Sequence, residues 1–162
     1  MGTSRQVGPG ARFFEDFAVG ERLVTQGRTL TETDGVVWAM FTGDMNPMHV
    51  DDVYAADHGL FGGRFPPGLM SVAVASGLKE RLGLFTGTGL AMLEQTIRYH
   101  RPAVMGDTIH VEMTVESAEP TPAKARGIVR FRYEILDHEE RQIASGIWVM
   151  VVAARSTHSD DQ

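Results

Sequence analysis

The sequence contains no cysteine, which excludes disulfide bonds, thiolate metal sites and cysteine nucleophiles. It has no run of about 18 apolar residues, so it predicts no membrane-spanning helix. Acidic residues outnumber basic ones, 21 against 15, and the formal net charge is −6. We therefore expect no binding to nucleic acid or to a membrane through bulk charge. The absence of cysteine is typical of a reducing compartment, and we expect a cytoplasmic protein.

The chain of 162 residues is long enough for one domain with a sizeable core, and 43% of its residues are apolar. Its first ten residues, MGTSRQVGPG, lack the apolar centre of a secretory signal. We predict a flexible N-terminus over residues 1–10, a single domain over 11–155 and a flexible C-terminal tail over 156–162.

Helical patterns dominate the first half of the chain. Residues 21–29 have modest strand character, and Thr31 and Asp34 then have the spacing of a capping box. The helix predicted after them places four apolar side chains on one face: Val36, Val37, Met40 and Phe41. A loop or tight turn over residues 43–47 ends it, because Gly43 and Pro47 break the pattern.

A second helix is predicted to start at Pro66-Pro67-Gly68 and to stop near Gly83, because prolines are tolerated in the first turn of a helix but not in its middle. Its apolar side chains leave almost no polar face before Lys79: Leu69, Met70, Val72, Ala73, Val74, Ala75 and Leu78. A helix that is apolar nearly all round has to be covered on most sides. We therefore predict a central helix wrapped by the rest of the chain.

The second half of the chain reads as strands, over residues 90–100, 108–118, 125–136 and 142–153. Apolar residues alternate at Ile109, Val111, Met113 and Val115, and again at Ile128, Phe131, Tyr133 and Ile135 with one shift. Residues 137–140 form a polar connector suited to a hairpin. A long antiparallel meander against one buried helix is an α+β arrangement.

A dense polar cluster over residues 43–51 follows the first helix. Asp44 and His49 lie five residues apart on a segment stiffened by Pro47. A carboxylate and an imidazole placed this way can hold one water molecule and move its protons. The alternative is a turn in which Asp44 and Asn46 cap backbone groups.

Four segments of the sequence, in this order, are FFEDFAVGE, TGDMNPMHVDDVYA, GGRFPPGLMSVAVASGL and YHRPAVMGDTI. They resemble the MaoC-like dehydratases and (R)-specific enoyl-CoA hydratases of the hydratase 2 group. The similarity covers most of residues 13–153, and the second segment is its most specific part. The resemblance implies a single hotdog fold, an antiparallel sheet wrapped around a long central helix, in proteins that act as dimers or tandem repeats.

The resemblance also implies roles for individual residues. The family's catalytic aspartate and histidine fall on Asp44 and His49, and its motif asparagine falls on Asn46. The backbone N–H that polarises the thioester carbonyl falls on Gly68, at the start of the second helix. A serine near the active site of some hydratases falls on Ser76, whose alternative role is a hydrogen bond to a carbonyl one turn back.

The chain departs from the family at Pro67, where many members have histidine, but the following glycine is retained. Arg98 and Arg101 are candidates for binding the phosphates of a CoA carrier, although arginine on a strand is more often simply solvated. The remaining histidines at 58, 100, 110 and 138 lack metal-ligand spacing, and we predict no metal site. No cofactor is expected, and CoA or phosphopantetheine enters only as the carrier of the substrate.

These features together predict reversible hydration of trans-2-enoyl thioesters or dehydration of (R)-3-hydroxyacyl thioesters. One alternative is a hotdog thioesterase, but residues 68–78 lack the carboxylate that such enzymes carry on the central helix. The other is a non-catalytic acyl-CoA-binding or regulatory subunit, for which loss of Asp44 or His49 would be expected. A single hotdog domain exposes a strand edge, so we also predict a homodimer with one continuous sheet.

Overall fold

The computed structural model describes residues 6–122 and 125–155. The chain enters through a 3-10 turn at Phe14–Asp16 and the strands β1 (Arg22–Val24) and β2 (Arg28–Thr29). The helices that follow are α1 (Glu32–Thr42), α2 (Pro47–Val50), α3 (Asp52–His58) and α4 (Gly68–Glu80). The later strands are β3 (Gly89–Gln95), β4 (Arg98–Tyr99), β5 (Thr108–Pro120), β6 (Arg126–Asp137) and β7 (Gln142–Ala153).

The strands form one antiparallel sheet in the order β1–β5–β6–β7–β3, with β2 beside β5 and β4 beside β7. Strands β5, β6 and β7 are consecutive in the chain and adjacent in the sheet, so the predicted meander is confirmed. The predicted hairpin is confirmed as well, because Asp137 and Arg141 pair across the turn. The sheet and its central helix place the protein in the α+β class.

The inward face of the meander follows the sequence pattern closely. Ile109, Val111 and Met113 of β5 are 0% exposed. The inward residues of β6 are Val129, Phe131, Tyr133 and Ile135, in unbroken alternation. The predicted shift after Ile128 was therefore wrong, because Ile128 lies on the half-buried outer face and Val129 takes the core position.

Helix α4 packs its buried side into the curve of the sheet through Met70, Val72, Ala75 and Leu78. Lys79, where the sequence pattern suggested a polar face, is only 2% exposed. Its Nζ lies 2.7 Å from the Glu80 carboxylate and 5.4 Å from the centroid of the Trp148 ring. An aliphatic stem can pack in a core while the ammonium group interacts with a carboxylate and an aromatic face.

Apolar side chains stay uncovered on α1, α4 and β3. The apolar face of α1 points outward, with Phe41 86% exposed. Helix α4 is open along the side that carries Leu69 and Ala73, so the predicted wrapping is incomplete within one chain. Every residue of the edge strand β3 is exposed.

The predicted flexible termini fall partly outside the described residues, which exclude 1–5 and 156–162. Within the described part, the Gly8 N–H donates to the Thr86 carbonyl at 3.0 Å, which holds the entering chain against the domain. The capping box at the start of α1 is confirmed, since Thr31 and Asp34 exchange backbone-to-side-chain hydrogen bonds. In the described ranges, no helix is both long and apolar enough to cross a membrane.

Candidate active site

The loop after α1 is fixed by local hydrogen bonds. Gly43 ends the helix in the left-handed conformation, with φ of 73°. The Asn46 N–H donates to the Asp44 carboxylate at 3.4 Å, and the Asn46 side chain accepts from the Met48 N–H at 3.0 Å as the cap of α2. The capping roles expected for a turn are thus present at Asp44 and Asn46. The bond from the Asn46 N–H also orients the Asp44 side chain.

His49 lies on α2 and is oriented by the chain that leads into α4. Its Nδ1 is 2.7 Å from the carbonyl oxygen of Phe65, and the Phe65 ring stands edge-on to the imidazole at 5.1 Å. A carbonyl oxygen can only accept, so Nδ1 carries the hydrogen. In the neutral ring this leaves the Nε2 lone pair free to accept a proton from a bound molecule.

Gly68 begins α4 with unpaired backbone donors. Pro66 and Pro67 have no N–H, and the Met70 N–H donates back to the Pro67 carbonyl at 2.9 Å. Among the described residues, the amides of Gly68 and Leu69 have no hydrogen-bond partner, and no side chain caps the helix. A helix start of this kind presents N–H donors and a partial positive charge to whatever lies in front of it.

A cavity of about 670 Å³ brings these groups together. Asp44, His49 and Gly68 all line it. Most of the rest of its wall is apolar or aromatic, including Trp38, Phe61, Phe65, Tyr99 and Ile143. An open apolar cavity with a few converging polar groups is the usual form of a small-molecule site.

Ser76 does not line this cavity, so the structure does not bring it together with Asp44, His49 and Gly68. It lines a separate pocket beside β3, together with Lys79 and Met150. Eight residues of helix separate it from Gly68, a rise of about 12 Å and a large rotation about the axis. Ser71, one turn from Gly68, lines the cavity instead, and its spacing of three residues is the sequence signal that could have identified it.

The two predicted phosphate ligands differ in their surroundings. Arg101 lines the cavity, but its guanidinium group donates to the Asp137 carboxylate and, at 3.1 Å, to the Pro102 carbonyl. Arg98 lies on the exposed strand β4, outside the lining of the cavity, and has no ion pair among the described residues. Asn46 is also absent from the cavity wall.

Asp137 anchors the far side of the site through the β6–β7 hairpin. Burial disfavours its charged form, but hydrogen bonds from the Arg141 backbone and side chain, a backbone bond from Glu139 and the charge of Arg101 outweigh it. Together they lower the pKa of Asp137 to about 2. The carboxylate therefore holds Arg101 in place as a fixed negative charge.

One cluster of potential metal ligands lies elsewhere, on the outer face of the sheet. The ligand atoms of His110, Glu112 and Glu140 lie within 4.8 Å of one another. The Glu112 carboxylate is already held by Arg22 through two hydrogen bonds. Because the Glu112 carboxylate is already paired with the Arg22 guanidinium group, the cluster gives no support for a metal centre.

The sequence and the fold are similar to those of known proteins. The family model of the MaoC like domain matches residues 16–132. The chain is 32% identical over 115 residues to a 3-hydroxybutyryl-CoA dehydratase of Methylorubrum extorquens, covering 70% of each chain. It is 30% identical over 109 residues to an (R)-specific enoyl-CoA hydratase of Rhodospirillum rubrum, covering 67% of this chain and 72% of that protein.

MaoC of Klebsiella aerogenes is 34% identical over 109 residues, which is 67% of this chain but only 32% of that longer protein. Among solved structures, a MaoC-like dehydratase from Rhodospirillum rubrum superposes with a TM-score of 0.75 at 28% identity, over 90% of this chain and 99% of that one. A Mycobacterium tuberculosis protein with a double hotdog fold gives a TM-score of 0.76 at 21% identity, over 91% of this chain and 46% of that one. The likeness confirms the hotdog fold, and with the family match it shows that this chain belongs to the MaoC-like hydratases and dehydratases.

Proposed function

We propose that the protein catalyses reversible hydration of trans-2-enoyl thioesters, and the reverse dehydration of (R)-3-hydroxyacyl thioesters. The observation that carries the proposal is the convergence of Asp44, His49 and the uncapped start of α4 at Gly68 on one cavity. Relatives named 3-hydroxybutyryl-CoA dehydratase and (R)-specific enoyl-CoA hydratase support the same chemistry.

In the proposed reaction, the thioester carbonyl accepts a hydrogen bond from the Gly68 N–H. A water molecule held between the Asp44 carboxylate and the His49 Nε2 attacks C3 and gives up a proton to one of them. The electrons of the double bond move toward the carbonyl oxygen, where the helix N-terminus stabilises the enolate. The side chain that took the proton then gives it to C2 of the enolate, which restores the side chain, and the neutral hydroxyacyl thioester leaves.

The chain's own groups supply this chemistry, and we propose that CoA or the phosphopantetheine of an acyl carrier protein serves only as the carrier. Arg98 is the better placed of the two predicted phosphate ligands, because its guanidinium group is exposed and unpaired in the described part of the chain. Arg101 has its charge committed to Asp137 and instead shapes the cavity wall.

We propose that the active form is a homodimer joined at β3 to give one continuous sheet. Strand β3 is exposed along its whole length, and the open side of α4 at Leu69 and Ala73 also needs an apolar partner. A dimer mass at assay concentrations is expected in sedimentation or light scattering. A monomeric mass with full activity would exclude the dimer.

Hydrolysis of the thioester is the competing function, and the central helix argues against it. The carboxylate of α4 is Glu80, at its last turn, where it contacts Lys79 rather than the cavity. A purely regulatory role also fits poorly, because Asp44 and His49 both line the cavity.

The test is turnover of crotonyl-CoA by the variants Asp44→Asn and His49→Ala. We expect each to lower kcat by about 10²–10⁴-fold, because positioned acid–base groups contribute on this scale. The matched controls are Asp57→Asn and His58→Ala, exposed residues of α3 that do not line the cavity. Near wild-type turnover in both site variants would exclude the assignment.

A further inference from the structure

Tyr99 lies against the start of α4, on the same wall of the cavity as Gly68. Strand β4 is held by pairing with β7, in which Tyr99 is opposite Ala144. A Cβ atom added at Gly68 would lie 2.7 Å from Tyr99 Cε1, 2.8 Å from Cζ and 3.2 Å from the hydroxyl oxygen. The ring therefore packs directly on the glycine, and its hydroxyl group lies beside the first turn of the helix.

The hydroxyl group of Tyr99 makes no hydrogen bond within the described part of the chain. Tyr99 lines the cavity and is 47% exposed, and its hydroxyl has no hydrogen-bond partner in the described ranges. Tyr133 provides a contrast, because its hydroxyl donates to the Thr96 carbonyl at 3.0 Å. A phenol with a hydrophobic contact on its ring and an open hydroxyl can donate to a bound molecule.

We propose that the Tyr99 hydroxyl is a second hydrogen-bond donor to the thioester carbonyl, acting beside the Gly68 N–H. The inference rests on the proposed function, since it assigns a residue to the same carbonyl. The hydroxyl donates without transferring its proton, and its bond strengthens as negative charge develops on the oxygen in the enolate. Tyr99 is then a catalytic residue that the Asp–His motif does not include.

Two further observations fit this role. Burial raises the pKa of the Tyr99 phenol, which keeps it in the protonated form needed for donation. The close packing also means that a side chain at position 68 would require the Tyr99 ring to move. Gly68 thus leaves its own N–H accessible and leaves space for the second donor.

The test compares Tyr99→Phe with the wild type. This change keeps the ring against Gly68 and removes only the hydroxyl, so we expect an unchanged melting temperature. We expect kcat for crotonyl-CoA to fall by about 10²-fold with KM little changed, the scale for losing one oxyanion donor. The control is Tyr54→Phe, which alters a ring stacked on His58 outside the cavity and should leave kcat unchanged.

A second readout does not depend on turnover. A conjugated dienoyl-CoA, such as hexadienoyl-CoA, absorbs at longer wavelength when its carbonyl is polarised, and we expect Tyr99→Phe to reduce this shift. A reduced shift supports the proposal even if no enoyl thioester is hydrated, in which case only the hydratase function fails. Wild-type kcat and an unchanged shift in Tyr99→Phe overturn the role of Tyr99 and leave the hydratase function standing. A wild-type protein with neither turnover nor a shift overturns both.

Discussion

The β5–β6–β7 meander and the segment over residues 43–67 differ in almost every physical respect. The inward side chains of the meander, such as Val111 and Phe131, are 0% exposed and belong to one core cluster. In the segment over residues 43–67, Ala55 and Pro66 are the buried residues, and large apolar side chains such as Leu60 lie at the surface. The segment is held by helix caps and polar links, among them Arg64, which binds Asp52 and Glu32.

The two regions have different roles: the meander stabilises the fold, and the segment over residues 43–67 carries the reactive side chains. The meander buries apolar area, which is the largest favourable term in folding. The segment over residues 43–67 presents Asp44 and His49 to a cavity and contributes little to the core. Substitutions in the meander should therefore change the free energy of unfolding, and substitutions of the cavity-lining residues of the segment, such as Asp44 and His49, should change turnover of the folded protein.

The largest expected effect on stability is that of Phe131→Ala. The Phe131 ring is in edge contact with Phe17 at 5.5 Å and with Phe85 at 5.8 Å. Removing a buried aromatic ring typically lowers the free energy of unfolding by about 3–5 kcal/mol. Urea denaturation measures the change. The matched control is Phe41→Ala on the outer face of α1, expected to change stability by no more than about 0.5 kcal/mol in a single chain. Equal losses of unfolding free energy in Phe131→Ala and Phe41→Ala would contradict the claim that the meander carries the stability.

An intermediate effect on stability is expected for Asp137→Asn. Asp137 links the meander to the cavity wall through its ion pair with Arg101. The folded-state pKa of about 2 lies below the ordinary value of 3.8 for an aspartate, so ionised Asp137 stabilises the fold above pH 4. This contribution, about 2 kcal/mol, is lost as the pH falls from about 4 to about 2. Asp137→Asn should be less stable at pH 7 and should lose less stability on acidification over that window. Parallel pH profiles for the wild type and the variant would contradict the assignment.

A smaller effect on stability than that of Phe131→Ala or Asp137→Asn is expected for His49→Ala. The variant loses one hydrogen bond to the Phe65 carbonyl, worth about 1 kcal/mol or less at a partly exposed site. Its turnover should nevertheless fall by orders of magnitude, as proposed above. A loss of unfolding free energy as large as that of Phe131→Ala would show that the segment is part of the folding core.

The same two regions explain what the sequence could predict. Strand β7 was predicted with its observed bounds, and β5 ends at Pro120, two residues beyond its predicted end. Both predictions were close because a strand with one buried face shows its two-residue period directly in the sequence. The strand predicted over residues 90–100 divides into β3 and β4. Between these two strands, the Thr96 N–H donates to the Ile147 carbonyl at 3.0 Å. This partner is distant in the sequence, so local periodicity does not reveal it.

For the site, the resemblance identified Asp44, His49 and Gly68, which do line one cavity. It did not identify Tyr99, because the contact with Gly68 depends on how β4 pairs with β7 and not on spacing along the chain. Ser76 lies away from the cavity because eight steps along the helix place it about 12 Å further on and turn it by about 80° from Gly68.

The central claim is that this cavity adds water across an enoyl thioester, and product analysis with crotonyl-CoA tests it most directly. Loss of the conjugated absorbance should be accompanied by (R)-3-hydroxybutyryl-CoA, with no free thiol released, and should be nearly abolished in Asp44→Asn. Release of free CoA thiol, or hydration at an unchanged rate in the folded Asp44→Asn variant, would contradict the account.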